Sequence, residues 1–211
     1  METPFPMDRE EKKVYQLESI YALMEKNHGL AKSSEISALG VDFRRIQKFV
    51  EEGSLTRVKN GYYTTSSLDF SEEELITALF PDGILTLESA AHYYGYLEKR
   101  PYHWKIAISK NVSKSRFKLD YPIVDPSYTE EEVLALGVQD AELKGGRMKI
   151  YTRDRLICDI LKYEEKMTRE DFQACAFAYI RDEKKDVAKL MSYARERKVL
   201  KKVQMMIGVW L

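Results

Sequence analysis

Residues 30–67, "LAKSSEISALGVDFRRIQKFVEEGSLTRVKNGYYTTSS", constrain the fold more tightly than any other part of the chain. Ser33 or Ser34 is placed to cap a short helix, because a hydroxyl there accepts from the unpaired N–H groups of the first turn. Gly40 supplies a left-handed stop, and Asp42 caps another helix almost at once. Two helices joined by so short a turn containing glycine form a helix-turn-helix. Behind them, Asn60-Gly61 sits between the β-rich runs "LTRV" and "YYTT". That pair predicts a tight hairpin with a type I′ turn, whose central residues both need φ > 0. A hairpin directly after a basic helix occupies the place of a wing.

The flanking sequence extends this reading into two domains. Upstream, Val14, Leu17, Ile20, Tyr21 and Met24 recur at helical spacing, predicting a helix from Asp8 to about Asn27 that Gly29 ends. Downstream, a polar break at Ser67 to Ser71 precedes a helix opened by Ser71 and Glu74 as a capping box. Domain boundaries follow at 1–68 and 69–211. The second domain mixes element types: a helix from about Thr86 to Tyr94, strands at "HWKIAIS" and "LDYPIV", and a helix opening at Thr129 with Glu132 in the capping-box position. A hairpin turning at Gly145-Gly146 is followed from Thr152 by three amphipathic helices. The fold class is therefore α+β: an N-terminal winged helix-turn-helix domain, then a mixed α+β domain ending in a helical segment.

Composition narrows the partners. Lys+Arg and Asp+Glu both number 34 in the 211 residues, so the chain as a whole has no net attraction for nucleic acid or membrane. Polyanion binding has to be local. The two cysteines, Cys158 and Cys175, lack metal-binding spacing and sit in helical patterns, which reads as buried free thiols in a reducing cytoplasm. The N-terminus lacks the apolar core of a signal peptide, and the longest apolar run, "MMIGVWL", is far short of a bilayer span. A soluble, cytoplasmic protein without a membrane partner is the expectation.

On the helix after Asp42, Phe43, Ile46, Phe49 and Val50 fall on one arc, and Arg44, Arg45, Gln47 and Lys48 on the opposite one. In a helix-turn-helix this helix enters the major groove, where Arg reads guanine O6 and N7, Gln can read adenine, and Lys mostly meets phosphate. Arg57, Lys59 and Asn60 on the wing then lie beside the backbone or minor groove. Between Asp42 and Gly61 there are five cations against Asp42, Glu51 and Glu52, a local excess of two. A basic amphipathic helix by itself is most often a solvated surface, and a winged helix can also serve protein contact. It is the succession of short helix, glycine turn, basic helix and Asn-Gly hairpin that points to DNA.

Catalytic signatures are missing: the sequence has no G-x-S-x-G, P-loop, G-x-G-x-x-G, H-E-x-x-H or C-x-x-C. His28, His92 and His103 are scattered among different elements. Asp154 and Asp159 lie about 140° apart around one helix, a poor arrangement for sharing an ion. No catalytic residue, metal or cofactor is expected. Two further basic segments stand out. One is the loop "KNVSKSRFK", with Lys110, Lys114, Arg116 and Lys118; the other is "RERKVLKK". Residues 140–211 carry 17 Lys+Arg against 12 Asp+Glu, so the second domain is a candidate surface for another polyanion or an acidic partner.

The run from Gly29 to Ser67, followed by "GILTLESAAHYYGYL", Pro101 with "WKIAIS", then "KIYTRDRLICDIL" and "LMSYARERKV", resembles the AbiEi family of abortive-infection, type IV antitoxins. The likeness covers nearly the whole chain in the family's order. It implies an N-terminal winged helix that represses the protein's own operon at inverted repeats in double-stranded operator DNA. It also implies a C-terminal domain that counteracts a toxin with a nucleotidyltransferase fold, without need of a tight complex. Carried over, the DNA-reading positions are Arg44, Arg45, Gln47 and Lys48, with Arg57, Lys59 and Asn60 on the wing. Arg155 and Asp159 also match the family motif and read as a structural pair. The loop Lys110, Lys114, Arg116 and Lys118 is the candidate antitoxicity surface. The alternative is a stand-alone winged-helix regulator whose second domain senses a ligand or dimerises.

Overall fold

The computed structural model describes residues 7–66, 70–144 and 146–208. Most of the expected break after Ser66, the first glycine of the Gly145-Gly146 turn and the last residues of the C-terminal apolar run lie outside them. The chain is mixed α+β and divides into two compact units. One comprises Met1–Phe80 with Lys118–Pro122 and Leu143–Gly146; the other comprises Pro81–Phe117, Ile123–Glu142 and Arg147–Leu211. Among the described residues no helix is long and apolar enough to cross a membrane.

The first unit opens with α1 (Arg9–Lys26). Asp8 starts it as expected: its carboxylate accepts from the Glu10 and Glu11 N–H groups at 2.8 Å, and Glu11 accepts in return from the Asp8 N–H at 2.9 Å. Gly29 ends the segment with φ +87°. A side chain there would meet more than backbone strain, since a Cβ would stand 2.8 Å from Cγ of Phe70. Next come β1 (Ala31–Lys32), α2 (Ser33–Ala38) and α3 (Phe43–Glu51). The α2 cap is Lys32, one residue before the serines expected to cap it. The Ser33 N–H donates to the Gly61 carbonyl at 2.8 Å and the Lys32 N–H to Glu35 at 2.9 Å, which starts the helix early. Gly40 (φ +81°) and the Asp42 cap are as expected, the Asp42 carboxylate accepting from the Arg45 N–H at 2.8 Å.

The hairpin β2 (Thr56–Lys59) and β3 (Tyr62–Thr64) turns at Asn60-Gly61. It is not type I′, because only Gly61 takes positive φ (+75°). The register shifts instead, with Arg57 opposite Tyr63 and Lys59 opposite Tyr62, so a bulge at Val58 absorbs the mismatch. β1 pairs antiparallel with β3, giving the sheet order β1-β3-β2. Ile20, Met24, Ile36, Val41, Ile46, Phe49, Leu55 and Tyr63 form one core beneath, each such side chain stabilising by roughly 1.5–3 kcal/mol. The Ser71–Glu74 box opens α4 (Glu72–Leu79), with the Ser71 N–H donating to Glu74 at 2.6 Å.

The second unit is built on a five-stranded sheet. Its strands are β4 (Ile84–Leu85), β5 (Trp104–Ser109), β6 (Val124–Thr129), β7 (Val138–Leu143) and β8 (Gly146–Tyr151), in the order β6-β5-β4-β8-β7. The strand expected at Leu119–Val124 runs from Val124 to Thr129 instead, pairing parallel with β5 along its length. Residues 118–122 group with the first unit, and the Asp120 N–H donates to the Val58 carbonyl at 2.7 Å. Pro126 is accommodated because β6 is an edge strand, where a missing N–H leaves no ladder bond unmade. Thr129 ends β6 and caps nothing; its hydroxyl donates to the Ser127 carbonyl, and α6 (Glu131–Leu134) starts later.

Helices α5 (Leu87–Tyr93), α7 (Arg153–Lys162), α8 (Arg169–Arg181), α9 (Val187–Glu196) and α10 (Leu200–Met206) complete the second unit. α7 has the expected amphipathic pattern but no solvent-facing side from Asp154 to Leu161, where every residue is buried: α5, α8, α9 and α10 all pack against the helix, and Asp154, Arg155 and Asp159 find hydrogen-bond partners inside.

Candidate nucleic-acid interface

The expected donor face of α3 is sorted by what each side chain already touches. Arg44 is exposed and makes no hydrogen bond or ion pair among the described residues. Arg45 is drawn back onto its own unit: Nε donates to Gln16 Oε1 at 3.3 Å, and the guanidinium lies 4.7 Å from the Phe49 ring centroid. Gln47 Nε2 donates to the Tyr63 hydroxyl at 3.3 Å, tying α3 to the hairpin. Lys48 Nζ stands 3.7 Å from Glu52, whose carboxyl is held below its usual range first by a hydrogen bond from Lys13. One of the four is therefore fully available, Lys48 is loosely held, and two are occupied.

The apolar arc also needs correction. Ile46 and Phe49 are buried as expected, but Phe43 is 62% exposed. The core at this end of the helix is filled by Val41, before the cap, which leaves the phenyl ring at the first helical position outside.

On the hairpin, Lys59 Nζ lies 4.4 Å and Lys32 Nζ 5.9 Å from the Tyr62 ring centroid, so two cations share one aromatic ring. Lys32 went unrecognised in the sequence. The pairing of Lys32 with Tyr62 across β1 and β3 brings it there, and a two-residue strand leaves no periodic pattern to read. Asn60 is exposed at the turn. Arg57 Nε pairs with Asp120 at 2.7 Å, both side chains half exposed. Such a surface pair is worth about 0–1 kcal/mol, so a phosphate oxygen can replace the carboxylate at little loss. Lys32, Arg44, Lys48, Arg57 and Lys59 thus form the cationic group of the first unit.

The basic loop is less available than its sequence implies. It holds a 3₁₀ turn at Lys114–Phe117. Lys110 is paired with Glu130, and Arg116 makes a two-pronged contact with Asp82, one prong at 2.7 Å. Lys114 and Lys118 are exposed, and Lys118 groups with the first unit, the other three with the second.

Asp154 and Asp159 have separate partners. Asp154 Oδ1 accepts from the Tyr179 hydroxyl at 2.9 Å and the Asp186 N–H at 2.8 Å. Asp159 holds Arg155 (3.1 Å) and Arg197 (2.6 Å). His92 Nδ1 is hydrogen-bonded to the Leu97 carbonyl and His103 Nδ1 to Asp125, both structural contacts. Among the described residues no group of three His, Cys, Asp or Glu side chains is placed to hold a metal ion. Chemically, the first unit offers donors and cations for a polyanion. No protein-family model and no curated protein matches the chain.

Proposed function

We propose that the first unit is a winged helix-turn-helix and that it binds double-stranded operator DNA at inverted repeats. α3 is then the recognition helix and the β2–β3 hairpin the wing. The observation that carries this reading is the unengaged Arg44 on α3, on the same unit as two ring-bound cations, Lys32 at the end of β1 and Lys59 on the hairpin after α3. Arg44 supplies base readout, and Lys32, Lys48, Arg57, Lys59 and Asn60 meet the backbone. Inverted repeats require two copies of the chain, one per half-site. A gel shift on the DNA upstream of the protein's own gene, at two salt concentrations, tests it. Specific, salt-sensitive retardation is expected; no binding even at low salt would refute the reading.

The wider role follows from the resemblance to the AbiEi antitoxins. The chain is a non-enzymatic cytoplasmic autorepressor whose second unit counteracts a nucleotidyltransferase-like toxin. Lys114 is the residue of the second-unit basic loop best placed to contribute, since Lys110 and Arg116 already have carboxylate partners. Co-expression of the full chain with such a toxin should restore growth. Persistent arrest would remove the antitoxin role and leave the DNA-binding role standing.

A further inference from the structure

We infer that Phe43 reads a thymine methyl group in the major groove, beside the base edge contacted by Arg44. The inference rests on the reading of α3 as a recognition helix and adds to it a residue that its basic composition conceals.

Among the described residues of the first unit Phe43 is the most exposed large apolar side chain, at 62% against 53% for Val14 and 43% for Tyr15 and Leu39. It makes no ring contact among the described residues. It occupies the first helical position of α3, immediately after the Asp42 cap. That cap is well made, so the start of the helix and the direction of Phe43 are set by the backbone. The N-terminal residues of a recognition helix are the ones that reach base edges.

The chemistry of the groove then selects the partner. Guanine, cytosine and adenine present polar donors and acceptors there, and a phenyl ring laid on any of them strips water without replacing its hydrogen bonds. Thymine alone presents a methyl group, with which Phe makes an apolar contact. Arg44, the next residue, is suited to guanine O6 and N7. The predicted half-site therefore has a thymine adjacent to a guanine. Attraction comes from the methyl contact, and discrimination from the polar edges that the ring leaves unsatisfied.

The test separates this inference from the reading beneath it. Duplexes are selected from a random pool with the full chain, and each thymine of the selected site is replaced in turn by uracil, which removes the methyl group and nothing else. At one thymine per half-site, wild-type affinity should fall about fourfold, the effect of burying one methyl-sized group. Phe43→Ala should bind thymine and uracil duplexes equally while keeping the wild-type dependence on salt, since no phosphate contact is lost. Because the ring is exposed, the variant should unfold at the wild-type temperature. Specific wild-type binding with no loss at any uracil, or a thymine preference that survives in Phe43→Ala, would overturn the role of Phe43 alone. Failure to select any duplex, with no salt-sensitive binding, would overturn the recognition-helix reading together with it.

Discussion

Replacing Asp159 by Ala should destabilise the second unit more than any surface charge change. Its carboxylate is shared by two guanidinium groups, Arg155 Nε at 3.1 Å and Arg197 Nε at 2.6 Å. The side chains of Arg155, Asp159 and Arg197 are 0%, 4% and 5% exposed. Arg155 is further fixed by the Val133 and Leu136 carbonyls at 2.8 and 3.0 Å and lies over the Tyr151 ring at 4.3 Å, so it cannot swing out to water. Among the described residues Asp159 is the only carboxylate bonded to both, so its loss leaves two buried cations without a counter-charge. Breaking a buried pair by removing one partner costs about 3–5 kcal/mol, a large share of the roughly 5–15 kcal/mol that holds a domain folded. At about 2–4 °C per kcal/mol for a chain of this size, the melting temperature should drop by roughly 10 °C. The control is Glu142→Ala, which removes an equally close ion pair to Arg147 (2.6 Å) whose side chains are 71% and 75% exposed. That change should leave stability close to that of the wild type, since water screens an exposed pair. Urea unfolding of both variants gives the comparison, with unchanged m-values required for it to be read as stability. Equal losses in the two, or an Asp159→Ala loss under about 1 kcal/mol, would refute the argument from burial.

Three other outcomes are expected. Gly137→Ala should lower stability by at least about 1–2 kcal/mol, the strain of a left-handed residue, because Gly137 has φ +70° and a Cβ there would stand 2.7 Å from the Arg155 Cβ; a wild-type melting temperature would contradict it. Burial pushes the Cys158 and Cys175 thiols up to about 12, so a thiol reagent at pH 8 should leave the native protein unlabelled and modify both residues in denaturant. Burial also raises the Glu88 carboxyl above its ordinary value, and Oε2 has no hydrogen-bond partner among the described residues. Its contribution is fully present below the unfolded value and is lost as pH rises through the raised folded one. Glu88→Gln should therefore flatten the decline in melting temperature over that window, and an unchanged pH profile would count against it.

What could be read in the sequence was local. The caps at Asp8, Asp42 and Ser71, the glycine stops at 29 and 40 and the Asn-Gly hairpin depend on a few neighbouring residues, and each stands where those residues require it. What could not be read depends on partners remote in the chain. Gln47 is occupied by Tyr63, Arg45 by Gln16 and Arg57 by Asp120, so three of the expected DNA-facing donors are engaged by residues 16 to 63 positions away. Phe43 had the right angle for the core, but angle alone does not show that Val41 already fills it. The displaced strand Val124–Thr129 was hidden by Pro126, a residue that argues against a strand everywhere except at a sheet edge. The Arg155–Asp159 pair was visible at helical spacing; Arg197, which completes it from 38 residues further on, was not.

The most direct measurement is the affinity of the full chain, Arg44→Ala and Arg45→Ala for the DNA upstream of its own gene, between about 50 and 200 mM salt. If α3 enters the groove with Arg44 foremost, Arg44→Ala should weaken specific binding by about 1–3 kcal/mol. Arg45→Ala, whose guanidinium is already held by Gln16 and Phe49, should bind nearly as the wild type does. Wild-type binding by Arg44→Ala, or a larger loss in Arg45→Ala, would contradict the account.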